Sequence, residues 1–118
     1  MLHLNHDNLY QAKMIVCVMS RGLSNQVVEA LYEKKHIVIS ESLPVRNQGS
    51  TMLQNRWIEM DMLKVIVMPQ YADDIFEFIF QQGKVAETEG SYMFQMNVPW
   101  ATHFELPAEE ALNTADKD

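Results

Sequence analysis

One polar stretch, VRNQGSTMLQNRW at positions 45–57, carries the side chains best suited to binding a ligand or a partner. It includes two arginines, two asparagines and two glutamines, and it has no acidic residue. Arginine donates in a planar fork that matches carboxylates and phosphates, and side-chain amides both donate and accept. We therefore predict contacts to a small ligand or a partner protein from Arg46, Asn47, Gln48 and Arg56. The alternative is that these residues only solvate a loop.

Two lysines and a glycine outside this stretch are further candidates for binding an anion. Gly83 followed by Lys84 fits the end of a helix, at the C′ position, with the cation near the carboxyl end of the helix dipole. The same pair could instead contact a phosphate. Lys64 lies in an apolar run, and a lysine is seldom buried without a partner. It could extend to the surface, pair with Glu59 or Asp61, or point into a cleft between subunits.

Residues that could bind a metal or act as catalysts lack the spacing of known motifs. The four histidines and the single cysteine show no close pairing typical of a zinc site. The nine methionines are more simply explained as core or interface residues than as a soft-metal site. Asp73 and Asp74 fit the first turn of a helix, where the dipole favours acidic side chains. Because no nucleophile motif or P-loop is present, we expect no enzymatic activity and no metal site.

The composition indicates one acidic domain of 118 residues. A hydrophobic fraction of 47% is typical of a globular protein. The formal net charge of −7 disfavours nucleic acid as a partner. Cys17, alone in the apolar run MIVCVM, indicates a reducing compartment. The sequence shows no leader peptide and no apolar run long enough to span a bilayer, so we expect a cytoplasmic protein without membrane insertion.

The hydrophobic pattern predicts the element order β-α-β-β-α-β. Strands are predicted at 13–19, 36–42, 57–68 and 91–98. The first is predicted to be buried on both faces, and the third is long enough to project beyond the sheet. Two βαβ halves are typical of the α+β, ferredoxin-like sandwich, an antiparallel sheet with both helices on one face. Since the other face would leave apolar residues uncovered, we expect an oligomer.

Local signals set the limits of these elements. Ser24 is a plausible N-cap for the first helix, and the second helix is predicted over 71–82. Pro44 is predicted to break the ladder of the second strand, because proline lacks an amide donor. The predicted inner faces of the helices consist of Val27, Val28, Leu31 and Tyr32, and of Ile75, Phe76, Ile79 and Phe80. The predicted division of the chain is a flexible lead-in at 1–12, a domain at 13–106 with a loop at 43–57, and an acidic tail at 107–118.

Three segments of the sequence resemble the PII-type signalling proteins. IVISESLPVRNQG is similar to the PII segment T-E-x-x-G-x-G-R-Q-K-G, in which Glu41 and Gln48 match. FQQGKVAETEGSYMF resembles T-G-K-I-G-D-G-K-I-F, with Gly83, Lys84 and Gly90 matched. WIEMDMLKVIVM resembles the third strand of the family, which returns from a long loop.

Over residues 13–105, the resemblance implies a homotrimer of ferredoxin-like subunits that works in signal transduction, with nitrogen regulation as one pathway. In that family ATP, ADP and 2-oxoglutarate bind in clefts between subunits, and the long loop contacts the regulated protein. The ligand site implied for this chain consists of Arg46, Gln48, Lys64, Gly83, Lys84 and Gly90. The effector loop implied is 43–57, and its partner is a regulated protein such as a transporter or an enzyme.

Departures from the PII pattern bear on the ligand. Pro44 and Arg46 replace glycines, Ser91 replaces the basic residue after Gly90, and no arginine pair follows the last strand. A triphosphate needs several cations or amides in place of its water shell. The ligand implied is therefore ADP, AMP or another small anion as well as ATP, and the absence of any nucleotide is also open.

A second family with a trimeric fold of the same kind, CutA, is also similar to part of the sequence. RWIEMDMLKVIV resembles the CutA strand W-x-G-x-I-x-E-x-x-E-x-x-L-x-x-K, with looser spacing than the PII match. This resemblance implies, as the alternative, a metal-responsive or transport-associated trimer.

Overall fold

The computed structural model of the chain describes residues 9–37, 40–48 and 57–102. Four strands and two helices occur there in the predicted order β-α-β-β-α-β. The strands are β1 (Leu9–Ser20), β2 (Ser40–Gln48), β3 (Trp57–Val67) and β4 (Tyr92–Thr102). The helices are α1 (Ser24–Lys35) and α2 (Ala72–Gln82), with short 3-10 turns at Pro69–Tyr71 and Val85–Glu87. Neither α1 nor α2 has the length and hydrophobicity of a transmembrane helix.

The four strands form one antiparallel sheet in the order β2-β3-β1-β4. β1 and β3 lie at the centre, and β2 and β4 form the edges. Both helices pack on the same face of this sheet, because their buried residues join one cluster with alternate residues of β1 and β3. The predicted fold class, an α+β ferredoxin-like sandwich, is confirmed.

The core lies between the helices and one face of the sheet. Its buried members are Ile15, Cys17, Met19, Val27, Leu31, Leu63, Val65, Val67, Ala72, Ile75 and Ile79. Val16 and Val18, which point to the opposite face of β1, are also buried. β1 is therefore buried on both faces, as the continuous apolar run MIVCVM predicts.

Both helices bury their aliphatic residues more completely than their aromatic ones. Of the residues predicted to face inward, Tyr32 is 60% exposed, and Phe76 and Phe80 are only partly buried. A helix that packs on one side of a sheet buries a narrow stripe, and residues beside that stripe stay in contact with water. The prediction that Tyr32 faces the core is wrong.

The second strand begins and ends later than the sequence predicts. It spans Ser40–Gln48 rather than 36–42, and Pro44 lies inside it, opposite Asp61. β2 is an edge strand, so only some of its backbone amides donate to the neighbouring strand, and a proline is tolerated where no donor is needed. The prediction that Pro44 breaks the ladder is therefore wrong.

The end of β2 and the start of β3 extend together beyond the rest of the sheet. β1 pairs with β3 only as far as Met60, whereas β2 and β3 stay paired for three more positions. We call these paired residues, 46–48 and 57–59, the arm. The predicted projection of the third strand is confirmed. The predicted loop at 43–57 is therefore partly strand, and its positions 49–56 lie outside the described residues.

The first and last strands along the chain, β1 and β4, are longer than predicted. β1 begins at Leu9, so the last four positions of the predicted lead-in at 1–12 belong to the sheet. β4 continues through Pro99 to Thr102, with a register shift opposite Gln11. The predicted acidic tail at 107–118 lies outside the described residues.

Candidate functional site

The six predicted ligand residues lie in three separate places. Arg46 and Gln48 are on β2, in the arm. Gly83, Lys84 and Gly90 lie in the loop 83–91 between α2 and β4. Lys64 lies on β3, away from both of these groups.

The arm and the loop 83–91 lie at the same end of the sheet but at opposite edges. At that end β1 finishes, β4 begins and the arm leaves the sheet. The order β2-β3-β1-β4 separates the two edges by three strand spacings, which is about 14 Å. Within one chain, a carboxylate or phosphate group could contact both only if long side chains bridged this gap, although the loop begins closer in, where Gly83 packs over β1. The predicted residues come together more readily if the arm of one chain meets the loop of another.

α2 ends differently from the prediction. Gly83 has a φ of −82°, in the right-handed region, and Lys84, with a φ of 52°, is the residue in the left-handed conformation. Gly83 instead lies in a closely packed position, since a Cβ there would lie 3.0 Å from the carbonyl oxygen of Ile79 and 3.5 Å from Cε of Met19. The prediction of Gly83 as the C′ residue is therefore wrong, and Lys84 presents an exposed ammonium group from a constrained backbone position.

Hydrogen bonds hold the rest of this loop against the sheet. The hydroxyl of Thr88 donates to the carbonyl oxygen of Lys84 at 2.8 Å. The hydroxyl of Ser91 donates to the carbonyl oxygen of Val18 at 2.5 Å. Gly90 has a φ of 81°, a conformation that favours glycine. The backbone around Lys84 is thus tied to the end of β1.

A buried carboxylate at the root of the arm was not recognised in the sequence. Asp61 on β3 is 7% exposed. Its Oδ2 accepts hydrogen bonds from the amide of Gly22 at 2.8 Å, the amide of Ser24 at 3.4 Å and the hydroxyl of Ser24 at 2.7 Å. These amides are at the amino end of α1, where free N–H groups and the helix dipole favour an anion. Asp61 therefore caps the helix, and the predicted capping by the Ser24 side chain is wrong.

Three more residues join this network. The Nε of Arg21 is 3.3 Å from Oδ1 of Asp61, and its Nη1 is 3.5 Å from Oε2 of Glu59. The hydroxyl of Ser42, on β2, donates to the hydroxyl of Ser24 at 2.7 Å. The network thus joins β2, β3 and the start of α1 at the point where the arm leaves the sheet. Its hydrogen-bonded partners are 18 to 39 residues apart in sequence, which is why no local motif predicts it.

Asp61 is charged at neutral pH. Burial by itself raises the pKa of Asp61, but hydrogen bonds from Ser24 and Gly22 and the charge of Arg21 outweigh that effect. The pKa of Asp61 is therefore lowered from its ordinary value. A buried negative charge repels an anionic ligand, so this residue anchors the arm rather than binding the ligand.

The sheet surface opposite the helices is almost entirely apolar. Among the described residues, its members by strand alternation include Ala12, Met14, Val16, Val18, Leu43, Val45, Ile58, Met60, Met62, Ile66, Tyr92, Phe94, Met96 and Val98, with Glu41, Lys64 and Ser20. We call this surface the helix-free face. Several of its large side chains are 36% to 47% exposed, and the rings of Tyr92 and Phe94 stack with centroids 6.5 Å apart.

Lys64 is partly buried on the helix-free face. It lies directly opposite Glu41 in the β2–β3 ladder. Glu59 and Asp61 point to the other face of the sheet, and both contact Arg21. The alternative that Lys64 pairs with Glu59 or Asp61 is therefore wrong.

A recess of about 220 Å³ lies at the other end of the sheet, near the register shift between β1 and β4. Its lining residues are Gln11, Ala12, Lys13, Pro69, Asn97, Val98 and Pro99. None of the predicted ligand residues is among them. The recess is thus separate from the end of the sheet that carries the arm and the loop 83–91.

Three of the groups considered for metal binding or catalysis have structural surroundings in the described residues: Cys17 is buried, and Asp73 and Asp74 have polar partners. Within residues 9–37, 40–48 and 57–102, no three His, Cys, Asp or Glu side chains are placed to hold a metal. Burial raises the pKa of the Cys17 thiol to about 12, so it is protonated at neutral pH. Asp74 pairs with Lys35 at 3.1 Å, and Asp73 accepts a hydrogen bond from Gln95 at 3.4 Å.

The solved structures that match this fold include a PII protein and a CutA protein. The crystal structure of PII from Arabidopsis thaliana bound to citrate matches with a TM-score of 0.62 and 15% identity, over 75% of each chain. CutA from Synechococcus elongatus PCC7942 matches with a TM-score of 0.65 and 9% identity, over 78% of this chain and 80% of that chain. No family model and no curated protein matches the sequence. The resemblance to PII, with CutA second, is therefore confirmed for the fold.

Proposed function

We propose that the protein is a PII-like signal-transduction regulator that works as a cytoplasmic homotrimer. The observation that carries this proposal is the division of the predicted ligand residues between two edges at one end of the sheet. Subunits arranged head to tail in a ring bring the arm of each copy to the loop 83–91 of the next, and the ring closes by rotation. The apolar helix-free face is then covered by sister subunits.

The ligand proposed is an adenine nucleotide or another small anion. Each cleft would offer the guanidinium of Arg46 from one copy and the ammonium of Lys84 from the next, both exposed in the isolated chain. Two cations suit a carboxylate, a monophosphate or a diphosphate better than a triphosphate. That the Arabidopsis PII structure contains citrate supports testing carboxylates alongside nucleotides.

Regulation would act through the arm. Ligand contacts to Arg46 and Gln48 favour one arrangement of the chain around the arm, and a regulated transporter or enzyme binds that arrangement selectively. The ligand then changes partner binding by its difference in affinity for the two arrangements. This mechanism needs no catalytic step.

Sedimentation and calorimetry test the proposal together. We expect the wild-type chain to sediment as a trimer and to bind at least one of ATP, ADP, AMP, 2-oxoglutarate, citrate or bicarbonate. Arg46→Gln and Lys84→Gln should each weaken binding about tenfold or more, while Lys34→Gln, on the outer surface of α1, should not. A stable monomer at micromolar concentration, or no binding of any of these ligands at millimolar concentration, would refute the proposal.

A CutA-like, metal-responsive function is the second candidate. It is favoured by the likeness to the CutA structure and by Met14 and Met96, which lie directly opposite each other in the β1–β4 ladder. Paired thioethers are soft ligands suited to copper(I). Copper or zinc should raise the melting temperature of the wild-type chain if this function is correct, and should raise it less in Met96→Leu. Under the PII-like function neither metal should have this effect.

A further inference from the structure

The helix-free face contains two opposite charges within an apolar surface. Glu41 and Lys64 are the only charged residues among the described members of that face. They lie directly opposite each other on β2 and β3. Around them, Leu43 and Phe94 are 36% and 44% exposed.

The two charges are not joined within the chain. No described carboxylate lies within 4.0 Å of the ammonium of Lys64, and no described cation lies within that distance of the Glu41 carboxylate. Both are solvated in the isolated subunit, where Glu41 is exposed and Lys64 is partly buried.

Covering this face changes what the two charges require. An ammonium group that loses its water without gaining a carboxylate strongly disfavours the covered state. Every charge on the described part of the face belongs to this pair, so a second copy brings one carboxylate and one ammonium to meet them. A copy of the chain is thus the partner that matches the face in both apolarity and charge.

Resting on the trimer proposed above, we propose that Glu41 of each copy forms an ion pair with Lys64 of its neighbour and sets the register of the assembly. In a closed ring each copy gives its carboxylate to one neighbour and its ammonium to the other, so every charge is paired. Methionine side chains adapt to many packings, and a Met-rich apolar face specifies register poorly by itself. An unpaired charge in every other register provides the missing selection.

Charge exchange tests the pair. The dissociation constant of the assembly is measured by sedimentation for wild type, Glu41→Lys, Lys64→Glu and the double variant. We expect each single variant to weaken assembly about tenfold or more, because like charges then meet at the interface. The double variant should return to within a few-fold of wild type. Lys34→Glu and Glu33→Lys, which make the same charge changes on the exposed surface of α1, should leave the constant unchanged.

Mixing the two single variants separates pairing between copies from pairing within a copy. In a trimer made of one single variant, all three contacts between residues 41 and 64 join like charges. In a trimer that contains both Glu41→Lys and Lys64→Glu chains, two of the three contacts join opposite charges. We expect the mixture to assemble more tightly than either variant alone. Circular dichroism confirms that each variant is folded, and Lys64→Gln replaces Lys64→Glu if the latter does not fold. In that case Lys64→Gln should weaken assembly and Glu41→Lys should not rescue it.

The outcomes distinguish this inference from the function on which it rests. If wild type is a trimer and the single variants assemble equally well, the ion pair is refuted and the trimeric regulator stands. If the single variants dissociate and neither the double variant nor the mixture recovers, pairing between these two residues is also refuted. If wild type is a monomer, the trimeric regulator fails first and the ion pair falls with it.

Discussion

Replacing Asp61 with alanine should destabilise the protein more than any other removal of one carboxylate from the described residues. The carboxylate accepts three hydrogen bonds from Gly22 and Ser24 and contacts Arg21, while being 7% exposed. A buried donor left without an acceptor costs about 1–3 kcal/mol, and loss of a helix cap costs about 1 kcal/mol. These contributions overlap, so we expect Asp61→Ala to lower the free energy of unfolding by about 3 kcal/mol.

The measurement is urea unfolding followed by circular dichroism at one fixed protein concentration, because assembly makes apparent stability depend on concentration. In a domain of this size about 3 kcal/mol corresponds to roughly 12 °C or more in the melting temperature. Asp61→Asn keeps the shape and one acceptor, so it should lose about half as much. Glu77→Ala, which removes an exposed carboxylate from α2, is the control. A loss below about 1 kcal/mol for Asp61→Ala would show that the network does not hold the helix to the sheet.

Three further predictions concern pH and the end of α2. Folding lowers the pKa of Asp61. The stability that its charge contributes is therefore fully present above the ordinary aspartate pKa of about 3.9, and it is lost as the pH falls through the pKa of the folded state. In urea titrations, the stability difference between wild type and Asp61→Asn should therefore shrink below about pH 4. Gly83→Ala should destabilise by about 1 kcal/mol, since its Cβ would press on the carbonyl oxygen of Ile79; an equal or higher urea midpoint would contradict the packing role. Lys84→Gly should stabilise by roughly 0.5–1 kcal/mol by relieving the left-handed φ of 52°, yet should weaken anion binding in calorimetry; a loss of stability would show that the conformation is not strained.

The fold could be predicted because its signals are local and repeat. The run MIVCVM is long enough for one strand and continuous enough to indicate burial on both faces. The acidic start and apolar stripe of α2 predict its position to within one residue. The repeated β-α-β pattern then selects the sandwich, because few other arrangements join two such halves with short connections.

What could not be predicted depends on position in the sheet or on distant partners. Pro44 is compatible with a strand only because that strand is at an edge, and no local pattern shows which strands are edges. Asp61 caps a helix that begins 37 residues earlier, so a search for capping residues close in sequence finds Ser24 instead. Gly83 packs against the core in a right-handed conformation, and the left-handed conformation falls on Lys84 instead. In each case tertiary packing overrides a correct local preference.

For a related reason, the sequence predicts which residues could form the candidate site but not whether those residues meet. Side chains of the right type for anion binding are visible in the sequence, and the resemblance to PII groups them into one set. Whether they meet depends on the strand order, which places the arm and the loop 83–91 on opposite edges. Sequence spacing contains no direct information on that order.

The Asp61 network also restricts where the arm can move. Shifting the arm together with its root would break hydrogen bonds to a buried carboxylate, each worth about 1.5–3 kcal/mol. A ligand can shift an equilibrium only by its difference in affinity for the two states, which is about 5.5 kcal/mol for a nearly complete switch. A movement of the arm that leaves Asp61, Ser24 and Ser42 in place therefore costs less free energy. The pivot must lie beyond Ser42 on β2 and before Asp61 on β3, so ligand binding should alter hydrogen exchange in the arm while the amides of Gly22 and Ser24 keep their protection.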